Sequence, residues 1–88
     1  MGYTLTFSQT FEKHVKTFSE KQRKQIANKL KILAENPAHP SLRVKKIRWT
    51  DFWEMSVNVD VRIIMKFEKN TVILLLDIGH HRVIEKWG

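Results

Sequence analysis

The stretch that decides the fold runs Trp53-Glu54-Met55-Ser56-Val57-Asn58-Val59-Asp60-Val61-Arg62-Ile63-Ile64-Met65-Lys66-Phe67. Every odd position in it is apolar, and every even position except Ile64 is polar. A period of two marks a strand with one buried face. A single strand of this length is unusual, so a turn has to interrupt it, and Asn58-Val59-Asp60 is the only candidate. A three-residue loop there pairs Val57 with Val61 and keeps the odd side chains on one face, whereas a two-residue loop would flip them. Further on, Lys69-Asn70 suits a two-residue connection. That turn pairs Glu68 with Thr71, hence Arg62 with Asp77, and Ser56 falls opposite Arg62. The expected result is a polar row, Ser56, Arg62 and Asp77, crossing three neighbouring strands on the face away from the core.

The flanking segments supply that core. Tyr3, Leu5 and Phe7 alternate with Thr4, Thr6 and Ser8, predicting a short opening strand. Ser8 can cap a first short helix whose apolar positions are Phe11, Val15 and Phe18. Ser19-Glu20-Lys21-Gln22 matches a capping box and starts a second helix, with Ile26, Leu30 and Leu33 in one stripe at helical spacing. Asn36-Pro37 ends it. Its lysines, Lys29 among them, are expected on a solvated face. Leu42 to Trp49 is expected to be a strand carrying Arg43, Lys45, Lys46 and Arg48, and Trp49, Phe52 and Trp53 are expected mostly in core and turn packing. Val72 to Ile78 is nearly all apolar, as a strand covered on both faces should be. Val72, Leu74, Leu76 and Ile78 are assigned to the helix side, and Ile64, Ile73 and Leu75 to an apolar floor on the other. The tail after Gly79 is expected to end in a helical turn.

The fold class is therefore α+β. One N-terminal strand and a two-helix hairpin precede a four-stranded antiparallel meander, with the helices packed on one face. Residues 1–88 are expected to form a single domain, since no linker, repeat or low-complexity tract divides them. The chain has no cysteine, so no disulfide framework is available, and this composition suits a reducing compartment. No segment reaches the ~20 apolar residues needed to span a bilayer. The start, Met1-Gly2-Tyr3-Thr4-Leu5, lacks the basic region and apolar run of a secretory signal. A cytoplasmic protein with no membrane partner is expected. Lysine and arginine total 16 against 9 acidic residues, a net charge of +7, and such an excess favours an anionic partner.

The order of elements, with Trp53-Glu54-Met55, Asp60-Val61-Arg62-Ile63-Ile64 and Asp77-Ile78-Gly79-His80 in sequence, resembles the RelE/ParE toxin superfamily of toxin–antitoxin systems. The resemblance spans essentially the whole chain. It implies a compact RelE-like toxin neutralised by a cognate antitoxin, and a metal-independent, ribosome-dependent endoribonuclease that cleaves mRNA in the A site. ParE-like members of the superfamily instead poison DNA gyrase, and a degenerate, non-toxic member is the third option. By resemblance, Arg62 matches the arginine that contacts the scissile phosphate, and His81 falls where the ribonucleases place an arginine or histidine. Glu54 and Ser56 lie near two lysines of the prototype, where another branch uses a glutamate. Val59 and Val61 replace the glycine and tyrosine of the turn motif, and no tyrosine follows His81.

Cleavage of RNA through its own 2′-hydroxyl needs a base, an acid and cations that stabilise the phosphorane charge. Arg62, His81 and Glu54 are the candidate catalytic residues. Arg62 offers planar donors that grip phosphate in two places, and an imidazole titrates near neutral pH. A regular continuation of the last strand points His81 to the Arg62 face and His80 to the other. Lys45, Lys46, Arg48, Ser56 and Lys66 are candidates for binding RNA, with Trp87 as a base-stacking group and Asp77 orienting Arg62. His80 and His81 have no evident third ligand, so neither a metal site nor a cofactor is expected.

Overall fold

In the computed structural model, which describes residues 2–88, the elements follow the expected order. Met1, where the reading of the chain's start begins, lies outside the described residues. Strand β1 (Thr4–Phe7) leads into α1 (Gln9–Val15) and α2 (Glu20–Glu35). A 3-10 turn (Pro40–Leu42) precedes β2 (Lys45–Lys46), β3 (Trp53–Ser56), β4 (Val61–Glu68) and β5 (Val72–His80), and α3 (Val83–Trp87) follows. The sheet order is β1-β5-β4-β3-β2, with β1 parallel to β5 and every other pair antiparallel.

Local chemistry sets the helix ends. Ser8 caps α1, its hydroxyl accepting from the Phe11 amide at 3.0 Å and donating to the Leu76 carbonyl at 2.6 Å. The capping box at Ser19 is complete, the Gln22 amide donating to Ser19 Oγ and the Ser19 amide to Gln22 Oε1. Phe11, Phe18, Ile26 and Leu33 from the helical layer bury against Met55, Val57, Val61, Ile63 and Met65, so the odd face of β3 and β4 is the core.

The β3–β4 hairpin has the predicted register: Ser56 opposes Arg62, and the Val57 amide donates to the Val61 carbonyl at 2.9 Å. Asn58 fixes the three-residue loop, its Oδ1 accepting from the amides of Asp60 and Val61.

Strand β5 differs in two places. Glu68 pairs with Val72, so the turn holds Lys69, Asn70 and Thr71 rather than two residues, with Lys69 at φ 39°. That single added residue reverses the faces at the start of β5. Ile73 and Leu75 are buried in the core, while Val72, Leu74 and Leu76 are half-buried, the opposite of the expected assignment. A bulge at Leu76 then restores the parity, so Ile78 returns to the core and Asp77 to the Arg62 face. The two shifts add: Arg62 opposes Gly79 and Asp77 opposes Ile64, and the expected pairing of Arg62 with Asp77 does not form.

The basic strand is also shorter than expected. Arg43 adopts a left-handed conformation (φ 50°, ψ 48°) that breaks the chain before Lys45. After Lys46 the Ile47 amide donates to the Phe52 carbonyl at 2.9 Å, closing a tight loop.

The second face of the sheet is not open. Helix α3 packs on β4 and β5, and Ile64 beneath this face is fully buried. A Cβ on Gly79 would stand 3.1 Å from the Val83 side chain, so the start of α3 approaches the sheet closely at a residue without one.

Candidate active site

Arg62 is the half-buried cation of this second face. Its Nη1 donates to the Asn58 carbonyl at 2.8 Å and to the Val61 carbonyl at 3.2 Å, which folds the guanidinium back over the hairpin loop. Its nearest carboxylate is Glu54, with Nε to Oε1 at 3.9 Å, beyond hydrogen-bonding distance. Glu54 is itself buried on β3, opposite Ile64 and Lys45. A guanidinium with its charge only loosely compensated retains the capacity to take an anion.

A concavity of about 300 Å³ opens beside it, lined by Lys29, Ser41, Arg43, Ser56 and Arg62 and by Val57 to Val59 of the hairpin loop. Three cations and two hydroxyl residues thus share one depression, and no carboxylate lines it among the described residues. Lys29 comes from α2 and Arg43 from the left-handed residue after the 3-10 turn; Lys29 Nζ donates to the Ser41 carbonyl at 3.5 Å. Neither stands out in sequence. Lys29 is one of several lysines on its helix, and only the backbone break at Arg43 places its side chain here.

A second concavity runs from Lys45, Lys46, Arg48 and Trp49 to Glu54 and the α3 residues Ile84 and Glu85. Lys45, Lys46 and Arg48 are exposed. Lys66 is also exposed, but it lies four residues along β4 from Arg62, roughly 13 Å away.

Asp77 has a different role from the one expected. It is almost fully buried (2% exposed) and does not meet Arg62. Its Oδ1 accepts from His14 Nδ1 at 2.7 Å and from the Ile78 amide at 2.8 Å, and its Oδ2 accepts from Trp87 Nε1 at 2.9 Å. Asp77 therefore ties α1 and α3 to β5. Trp87, named as a base-stacking candidate, is half-buried and engaged with the fold, its indole N–H bonded to Asp77 and its ring lying edge-on to Phe52 at 5.2 Å. His14 is absent from the sequence-based candidates, and nothing in the sequence sets it apart from the four other polar residues of α1, Gln9, Thr10, Glu12 and Lys13.

The two histidines sit at the strand end. His80 is the last residue of β5 and opposes Val61; its ring lies 5.7 Å from Phe18, on the helix side. His81 is already in the turn, so strand parity does not carry to it. Both imidazoles converge on Asp60: His80 Nδ1 donates to Oδ2, and His81 Nδ1 lies 3.5 Å from Oδ1. The His80 hydrogen bond, aided by His81, holds the exposed Asp60 carboxyl below the usual carboxylate range. His81 is exposed and weakly held, and its ring is bonded to Asp60 rather than to Arg62.

The protein thus carries a helical hairpin on a five-stranded sheet, with a basic depression at the β3–β4 hairpin. The chain superposes on the archaeal RelE of a RelE–RelB complex from Pyrococcus horikoshii OT3 with a TM-score of 0.76 at 20% identity, covering 91% of this chain and 96% of that one. It matches YoeB of Staphylococcus aureus with a TM-score of 0.73 at 22% identity, covering 92% and 99%. A mutant of the E. coli toxin RelE in its free state matches with a TM-score of 0.74 at 18% identity, covering 99% and 92%. At these identities the likeness is one of fold. No curated protein sequence matches the chain. The sequence model of the ParE toxin of type II toxin–antitoxin systems (parDE) matches residues 3–84. The chain belongs to that family, and it is a toxin of the RelE/ParE superfamily.

Proposed function

We propose that this toxin is a metal-independent, ribosome-dependent endoribonuclease acting on mRNA in the A site, held inactive by a cognate antitoxin in the cytoplasm. The observation that supports this most directly is the half-buried Arg62, facing a depression with Lys29 and Arg43 and only loosely compensated by Glu54. Three cations around one concavity suit the dianionic phosphorane that forms when a 2′-hydroxyl attacks its own phosphodiester. In that reaction a base removes the 2′-hydroxyl proton as the O–P bond forms. The 5′-oxygen leaves with a proton from an acid, giving a 2′,3′-cyclic phosphate and a 5′-hydroxyl. Glu54, beside Arg62, is assigned as the base. His81, loosely held at Asp60, is assigned as the acid that swings in when RNA binds; catalytic hydrogen bonds are often unformed in the free enzyme. Lys45, Lys46, Arg48 and Ser56 are assigned to the RNA backbone.

The several antitoxin complexes among the matched structures support an antitoxin partner, those of RelE from P. horikoshii and from E. coli included. Induction of the chain without an antitoxin should arrest growth and produce new transcript ends within coding regions. Arg62→Ala should abolish both while the purified variant stays folded. A second reading, a ParE-like poison that binds DNA gyrase without hydrolysis, is favoured by the separate anchoring of Arg62 and His81 and by the lack of a tyrosine after His81. Gyrase-trapped DNA breaks with intact transcripts would select it.

A further inference from the structure

Trp49 breaks the pattern of the other aromatic residues. Core and turn packing is expected for it, yet it is 91% exposed, the most solvent-open aromatic side chain among the described residues. Its backbone is left-handed, with φ 65°, a conformation that costs an aromatic residue free energy and that glycine would adopt freely. The loop around it is nonetheless rigidly bonded. The Thr50 amide and hydroxyl both donate to the Ile47 carbonyl, at 3.2 and 2.8 Å, and the Phe52 amide donates to Thr50 Oγ1 at 3.0 Å. The chain therefore holds a large apolar plane in water on a fixed hairpin tip.

The surroundings decide what such a plane can bind. The Arg48 guanidinium lies 5.4 Å from the indole centroid, covering one side of the ring and leaving the other open. Lys45 and Lys46 follow along β2, and the concavity that begins at Trp49 reaches Glu54, whose carboxylate neighbours Arg62, with Glu85 of α3 also on its wall. An aromatic plane at one end of a line of cations fits alternating bases and phosphates, since every base has a π-face and every phosphate a charge. It does not fit a duplex, whose base faces are already stacked.

We infer that Trp49, backed by Arg48 and flanked by Lys45 and Lys46, is a stacking platform for a base of single-stranded nucleic acid entering the Arg62 site. This inference rests on the nuclease reading for the direction of the strand, although the binding itself requires no cleavage.

The test uses the full chain and a fluorescein-labelled single-stranded RNA of about ten nucleotides, followed by anisotropy at low salt. Trp49→Ala should weaken binding roughly tenfold, the range set by removing one base-stacking aromatic. Trp49→Phe should restore affinity to within about threefold, because a smaller ring still stacks. Lys46→Ala should lower the slope of log affinity against log salt by about one, with little dependence on base sequence. A duplex of the same sequence should bind with no difference between the parent and Trp49→Ala. Equal binding of RNA by the parent and Trp49→Ala would overturn the platform, as would a Phe variant as weak as the Ala variant. Loss of antitoxin capture with RNA binding intact would assign the indole to protein recognition and overturn it equally. If transcripts stay whole on induction but oligonucleotide binding still depends on Trp49, the platform stands and only the nuclease reading falls.

Discussion

Two charged residues on one sheet face, one buried and one half-buried, meet opposite fates. Asp77 is enclosed and accepts three hydrogen bonds, from His14, the Ile78 amide and Trp87, so its free energy is committed to the fold. Arg62, on the neighbouring strand, is bonded only to two backbone carbonyls of its own hairpin and lies 3.9 Å from Glu54. A saturated charge stabilises structure and has little left to offer a ligand; a loosely compensated one is available to an anion. The difference separates a structural polar group from a candidate functional one more sharply than proximity to a cleft does.

The largest test of that contrast is Asp77→Ala. It leaves the His14 and Trp87 donors without their acceptor and unties α1 and α3 from β5. The expected loss is about 2–4 kcal/mol, since the buried Ile78 amide and the half-buried His14 and Trp87 donors all lose their acceptor. For a domain of this size that lowers the melting temperature by roughly 10–25 °C. A melting temperature within a few degrees of the parent would mean that Asp77 is not the tie. Arg62→Ala should act the other way round. Its stability cost is about 1 kcal/mol, because the backbone carbonyls it leaves can turn to water, while its effect on toxicity is complete. Comparable unfolding curves beside lost growth arrest would keep the two charges in separate classes; a large destabilisation would merge them.

How much of this was legible in the sequence follows the same division. The β3–β4 hairpin alternates at every position but Ile64, so burying the wrong set would have exposed Met55, Ile63 and Met65, and its register was readable to the residue. The run Val72 to Leu76 has no polar residue to report its face, and one extra turn residue there costs little in composition. The bulge at Leu76 is equally silent, because its signal lies in Ser8, whose hydroxyl takes the carbonyl that the bulge presents. The superfamily resemblance, the helices and the place of Arg62 opposite Ser56 could therefore be read from sequence. The partners of Asp77 and Trp87 and the placement of Lys29 and Arg43 depend on backbone events that single residues do not announce.

Asp60 supplies the smallest effect and calibrates the other two, because it is a charge with partners but no burial. Its carboxyl is held below the ordinary value of 3.8, chiefly by the His80 hydrogen bond, with His81 adding to it. A carboxyl whose folded pKa is depressed adds stability that is present above its unfolded value and disappears as pH falls through the folded one. The difference in unfolding free energy between the parent and Asp60→Asn should thus be constant above about pH 4 and shrink at more acid pH. Solvent screening keeps that difference small at every pH. Carbon-detected NMR titration of the Asp60 carboxyl checks the direction independently of stability. A midpoint at or above 3.8 would show that the histidines do not hold the carboxylate. The loop would then owe its order to Asn58 alone, whose side chain already fixes the Asp60 and Val61 amides.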